Sequence, residues 1–317
     1  MNNINNSILI TGGAGFIGSH LCDELIVSNK ITVIDNLSLG KKSNINHLLK
    51  NPNFKFIEED LLSDKINNVF VNDKFDIVFH LAANSDIANS HENPSIDKDN
   101  TFMTSYCVLE MMKKHKIKKI VFASTSAIYG DTNELLTENY GPLNPVSHYG
   151  AGKLASEAFI SSFVENYGLQ AWIVRFPNVV GERATHGVIF DFIKKLRKNN
   201  DKLKVLGNGE QHKPYLYVKD LIQGILYVWK NSNERINTFN LGINSRTKVK
   251  DIAEMVIEEM GLNAKMEFTG GQRGWIGDVP EFNYDLTKIN NLGWRAPNNS
   301  NEAVRKSIQK ILKHDIK

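Results

Sequence analysis

The chain has 317 residues, 41% of them hydrophobic and 23% charged, with a formal net charge of +3. A chain of this length and apolar content buries a sizeable core, which excludes a disordered chain or a disulfide-stapled mini-protein. The near-balance of charge excludes a basic nucleic-acid-binding stripe, and the lysine run KKHKIKK at 113–119 is the solvated end of a helix.

The polar opening MNNINNS has no signal-peptide apolar stretch, and no run of about 20 apolar residues occurs downstream. A cytoplasmic protein without a membrane span is expected. Short apolar runs then alternate with helical patterns: SILIT at 7–11, ITVID at 31–35, FKFIE at 54–58, DIVFHLAA at 76–83, KIVFAST at 119–125 and QAWIVRF at 170–176. Helices fit between them near 16–28, 100–115 and 149–167. Strands separated by helices imply a Rossmann-type α/β fold, a parallel sheet doubly wound on both faces.

Past Arg175 the pattern loosens into Gly-, Asn- and Pro-rich loops, with helices expected near 187–199 and 218–230 and a strand at 203–206. TFNLG at 238–242 resembles one more strand, and VKDIAEMVIEEMG at 249–261 is an amphipathic helix closed by a glycine. The expected organisation is a domain over 1–176 and a smaller C-terminal α/β lobe over 177–317, with 218–242 rejoining the first. Cys22 and Cys107 fall in apolar helical patterns, without CxxC spacing or histidine-rich company, so no disulfide and no metal are expected.

Chemistry enters at ILITGGAGFIGSHL. Gly13-x-Gly15-x-x-Gly18, also legible as Gly12-x-x-Gly15-x-x-Gly18, follows a strand and opens a helix. Positions without side chains let the turn close and let backbone N–H groups at the helix start approach a pyrophosphate. Asp35 ends the next strand, where a carboxylate accepts hydrogen bonds from adenosine ribose hydroxyls. That charge repels a 2′-phosphate, and no arginine follows it, which favours NAD over NADP despite Lys41 and Lys42. Asp60 and Leu61, after the third strand, are placed near an adenine or form an ordinary turn.

Tyr149 and Lys153 stand four apart in HYGAGKLASE, on one face of a helix. An ammonium held there favours the phenolate and lowers a tyrosine pKa that starts near 10, so the pair suits a general base.

With these motifs in place, the chain resembles the extended short-chain dehydrogenase/reductase family, in its nucleotide-sugar epimerase/dehydratase branch nearest UDP-glucose 4-epimerases. The likeness runs through DNLSLG at 35–40, HLAANSDIANS at 80–90, Asn100, STSAIYG, YGAGK, RFPNVVG at 175–181, YLYVKD at 215–220 and GDVPEF at 277–282. It implies NAD held by Gly12, Gly15, Phe16, Ile17, Gly18, Asp35, Asn36, Asp60, Leu61, Leu81, Ala82, Ala83, Asn100, Tyr149 and Lys153. It further implies that Tyr149 takes the proton of a sugar C4 hydroxyl, Lys153 binds the nicotinamide ribose, and Thr125 holds the sugar oxygen. Ser126, Asn178, Arg183, Gly187, Val188, Lys213 and Arg273 are the implied contacts to the nucleotide sugar.

The family's 4,6-dehydratases continue from the threonine into an Asp and a Glu, and its decarboxylases place a Glu third; here those positions are Ser126 and Ala127. Water elimination and decarboxylation are therefore disfavoured. Oxidation at C4 remains, ending either in a 4-epimer or in a released 4-keto sugar, for example from a GDP-linked heptose of capsule biosynthesis. A catalytically silent NAD-binding module is the third reading, disfavoured because Tyr149 and Lys153 are both present. Three departures, Ser85, Lys213-Pro214 and Trp275, leave the nucleotide base open. A homodimer through the helices near 100–115 and 149–167 is also implied.

Overall fold

A computed structural model describes residues 5–85, 92–271 and 283–314. Strands β1 (Ser7–Thr11), β2 (Lys30–Asp35), β3 (Phe54–Glu58), β4 (Ile77–His80), β5 (Lys119–Thr125), β6 (Gln170–Phe176) and β7 (Ile236–Asn240) form one sheet in the order β7-β6-β5-β4-β1-β2-β3. The described pairings of β1 with β2 and β4, β2 with β3, and β4 with β5 are parallel. This is the Rossmann-type order, and its reversal between β1 and β4 opens the crevice where such sheets bind ligands. Register places Thr11 opposite both Ile34 and His80, and Asp35 opposite Glu58, so the C-terminal strand ends come level. Continuous apolar runs such as Ile8, Leu9 and Ile10 are fully buried, as expected for strands covered on both faces.

Helix α1 (Phe16–Leu25) follows the glycine turn, and α2 (Ile66–Asn72), which the apolar pattern does not announce, follows β3. The helix expected at 100–115 starts earlier: Ser95–Asp97 leads into a π-helical turn at Lys98–Met103 and then α3 (Thr104–Lys114). A π turn inserts an extra residue and commonly marks a functional site. α4 (His148–Tyr167) starts on Ser147, whose hydroxyl accepts from the Gly150 N–H, and ends on left-handed Gly168. The fourth strand stops at His80 rather than running to Ala83, because Leu81 and Ala82 turn off to bond the end of β1.

Two compact units divide the chain. The first comprises Met1–Ile128, Asn144–Arg175 and Ile225–Phe239. Its core joins Leu9, Ile34, Val78 and Phe122 of the sheet to Val108, Met112, Ile160 and Phe163 of α3 and α4.

The second comprises Tyr129–Leu143, Phe176–Gly224 and Asn240–Lys317. It is built from short strand pairs, Asn178–Val180 with Tyr215–Tyr217 and Lys202–Val205 with Lys265–Phe268. Beside them lie α5 (Val188–Lys198), α7 (Val249–Glu259), α8 (Thr287–Leu292) and α9 (Ser300–His314), while α6 (Val218–Asn231) has residues in both units.

Candidate active site

The glycine turn is built so that nothing stands between backbone and ligand. Gly12 has φ 70°, and a Cβ on Gly18 would lie 2.2 Å from the Gly12 carbonyl oxygen, so neither position takes a side chain without moving the loop. Gly15 begins α1 with no side-chain cap, which leaves the first-turn N–H groups of Phe16, Ile17 and Gly18 to an external acceptor.

The Asp35 carboxylate ties the turn to the end of β2, accepting from the N–H of Ala14 at 2.9 Å and of Leu37 at 2.8 Å. Burial raises its pKa, and these backbone donors oppose the rise. Asn36 Nδ2 donates to Asp60 at 2.8 Å, while the Leu61 side chain belongs to the core. Leu81 N donates to the Thr11 carbonyl and Ala82 N to the Thr11 hydroxyl. An uncapped helix start, an adjacent strand-end carboxylate and a glycine cradle fit a dinucleotide. Ala83 follows Ala82, partly exposed, and Asn100 is exposed on the π turn, its carbonyl accepting from the Thr104 hydroxyl.

On the other side of the switch point, β5 ends at Thr125, whose Oγ1 accepts from the Ala127 N–H at 3.1 Å and is hydrogen-bonded to the Tyr149 hydroxyl. Ser126 is half-buried beside it. Lys153, 2% exposed, donates to the Ala123 carbonyl at 2.7 Å, and its Nζ stands 5.9 Å from the centre of the Tyr149 ring. The i, i+4 spacing thus puts both groups under the end of one strand.

Their titration differs from the sequence expectation. Burial pushes the Tyr149 phenol above its ordinary range; the Thr125 hydrogen bond lowers it and Asp97 raises it further. Lys153 is brought down to about 7 mainly by burial and held up by Glu157 and Asp97, while burial is the largest influence on Tyr149. Desolvation outweighs pairing because neither group keeps its water.

Beneath the pair lies a polar layer that spacing alone did not reveal. Glu157, one turn beyond Lys153, receives Arg175 Nε at 3.1 Å and Nη2 at 2.6 Å, and a short bond from the Ser124 hydroxyl. The fourfold step from Lys153 to Glu157 was the available signal. His80 is wholly buried, with Nδ1 2.7 Å from the Thr11 hydroxyl and Nε2 2.9 Å from the Ser105 hydroxyl. Ser105 donates its own proton to the Thr101 carbonyl, so Nε2 carries the ring proton and Nδ1 accepts from Thr11. Burial first, and Lys153 second, hold this imidazole neutral, with its pKa lowered to about 3.

The remaining sequence-derived residues belong to the second unit. Asn178 is exposed on its short strand, Arg183 has φ 69°, Gly187 with φ 102° precedes α5 without a side-chain cap, Val188 opens that helix, and Lys213 pairs with Thr247. Arg273, with Trp275, lies outside the described residues. Among the described residues no group of His, Cys, Asp and Glu is arranged to hold a metal, and no helix is long and apolar enough to cross a membrane.

Comparisons with known proteins agree with this fold. The profile of the NAD dependent epimerase/dehydratase family matches residues 8–242. A putative UDP-glucose 4-epimerase of Methanocaldococcus jannaschii is 35% identical over 311 residues, 95% of this chain and 97% of that protein. A dTDP-D-glucose 4,6-dehydratase of Dictyostelium discoideum is 33% identical, over 79% of this chain and 61% of its own. Among solved structures, the UDP-glucose 4-epimerase of Thermotoga maritima with UDP-glucose superposes with a TM-score of 0.87 at 30% identity, covering 98% of this chain and 100% of the other. A UDP-galactose 4-epimerase gives 0.86 at 35% identity, covering 97% and 99%.

Proposed function

Since the chain belongs to the NAD dependent epimerase/dehydratase family, we propose that it is a nucleotide-sugar 4-epimerase acting on a UDP-linked hexose through a 4-keto intermediate. The observation that carries this reading is the end of β5: Thr125 reaches the Tyr149 hydroxyl, and the next two side chains, Ser126 and Ala127, offer no carboxylate. Elimination or decarboxylation would need such an acid and base beside C5 and C6. NAD, when bound, supplies the hydride acceptor and a positively charged ring.

The chain's own residues handle the proton. The Tyr149 Oη takes it from the C4 oxygen on oxidation and returns it on reduction, with the Thr125 hydroxyl holding that oxygen in line. Burial keeps the free phenol neutral, so the base form depends on positive charge brought against the ring, and Lys153 stands close enough to supply part of it. UDP is favoured because the structural relatives carry UDP-glucose and UDP-glucuronic acid. Asn178, Arg183, Gly187, Val188 and Lys213 are the proposed contacts to that nucleotide sugar. A homodimer is also proposed, since Phe159, beside Phe102 and Tyr106, and Tyr167, beside Phe163, leave more than a third of their surface exposed on α4. Sedimentation of a monomer would remove it.

The test incubates the purified protein with UDP- and GDP-linked hexoses and heptoses, following mass and proton NMR. A product of unchanged mass inverted at C4 is expected. A product lighter by two hydrogens with accumulating NADH would replace the epimerase by a dehydrogenase. Tyr149→Phe should lower turnover by about 10² to 10⁴ fold, and an unchanged rate would remove Tyr149 from the mechanism.

A further inference from the structure

The helical segment from Asp97 to Thr101 lies directly on the backbone of α4. A Cβ built on Gly152 would stand 3.1 Å from Thr101 Cγ2 and 3.3 Å from the Asp97 carbonyl oxygen, so the approach uses the space that a glycine leaves. Gly152 stands three residues after Tyr149 and immediately before Lys153. At this crossing sits a carboxylate that is 1% exposed. Its Oδ1 accepts from the Thr101 hydroxyl at 3.0 Å and from Asn84 Nδ2 at 3.1 Å. Thr101 is itself held, accepting from the Asn84 N–H at 3.2 Å. Asp97 Oδ2 is equally buried and has no hydrogen-bond partner among the described residues.

A buried carboxylate with one oxygen unpartnered is costly unless neighbouring charge offsets it. The second buried carboxylate of this region, Glu157, is engaged by Arg175 and Ser124. The other titratable group of the layer, His80, is neutral and already bonded on both nitrogens. On its own segment, Lys98 and Asp99 pair with each other at the surface. Across from Gly152, the Tyr149 phenol and the Lys153 ammonium of α4 are the groups with which Asp97 interacts electrostatically.

We infer that Asp97 is a positioning residue: a buried negative charge that retains a proton on the Tyr149–Lys153 pair, keeping the lysine cationic and the phenol neutral until positive charge arrives with the ligand. This rests on the proposed roles of Tyr149 and Lys153. It makes Asp97 a brake on premature phenolate formation as well as a counter-ion for the lysine.

Asp97→Asn is close to ideal as a probe. The amide oxygen can keep both bonds made to Oδ1, and the amide nitrogen takes the place of an oxygen that has none, so charge is removed with little change in shape. The prediction has a direction that a structural defect would not produce. Both limbs of the pH–rate profile should move to lower pH, each on the order of one unit for a charge at this depth. Thr101→Ala, which keeps the charge and removes one bond to it, should lower the melting temperature and leave the limbs in place.

A second readout needs no turnover. In the purified full-length protein labelled with ¹³C at the tyrosine ring, the Tyr149 resonance, assigned by its loss in Tyr149→Phe, should titrate at lower pH in Asp97→Asn. If the asparagine is not accommodated, Asp97→Ser serves the same comparison. A Tyr149 titration unmoved in a folded variant overturns the inference, whatever the substrate proves to be. A shifted resonance sustains it even if no nucleotide sugar is turned over, in which case it is the epimerase reading that fails.

Discussion

Acidification should expose the buried imidazole of His80. Folded, the ring is neutral with a pKa of about 3, against an ordinary value of 6.5. Between these values the unfolded chain binds one proton more than the folded one, so the stability contributed by a neutral His80 is present above 6.5 and is lost as pH falls toward 3. The slope is about 1.4 kcal/mol per pH unit, so a fall from pH 6.5 to about 4.5 removes roughly 2.5 kcal/mol through this residue.

His80→Gln removes the titrating ring and can keep one of its two hydrogen bonds. Its absolute stability will drop, but its dependence on pH should flatten. Urea unfolding followed by circular dichroism at several values between about pH 7 and 4.5 gives the comparison, with the carboxylates common to both proteins cancelling in the difference. Parallel curves for wild type and variant would refute the argument. An independent check is ¹⁵N NMR of the His80 ring, which should show the proton on Nε2 and no titration above about pH 4.

Two further outcomes follow from the same layer and from the glycine turn. Glu157→Gln leaves the Arg175 guanidinium buried without its carboxylate and should cost about 3–5 kcal/mol in urea unfolding, with Arg175→Met in the same chain restoring part of the loss. Gly18→Ala places a methyl group against the Gly12 carbonyl, and calorimetry should show NAD affinity weakened about tenfold or more while circular dichroism stays unchanged.

The sequence by itself determined the local features. Six of the seven strands of the main sheet announced themselves as short apolar runs: those inside the sheet because strands covered on both faces read as continuous hydrophobicity, and the partly exposed edge strand β3 through Phe54, Phe56 and Ile57. The seventh was legible only as TFNLG, two residues late. The glycine turn, Asp35 and the Tyr149–Lys153 pair were visible because each depends on spacing within one turn, one strand end or one helix face. α2 was missed because seven residues with three buried side chains carry too little periodicity.

Tertiary structure decided what burial does to charge. Whether Tyr149 is acidified by Lys153 or made more basic by desolvation depends on how much water reaches the phenol, a property of the packed strand end and not of the interval between two residues. His80 and the pairing of Glu157 with Arg175 became visible only when β1, whose Thr11 is 69 residues from His80, and α4, whose Glu157 is 18 residues from Arg175, came against their partner strands. Asp97 belongs with them. Nothing in its neighbours along the chain distinguishes it from an exposed helix aspartate until the π turn lays it against Gly152 of α4.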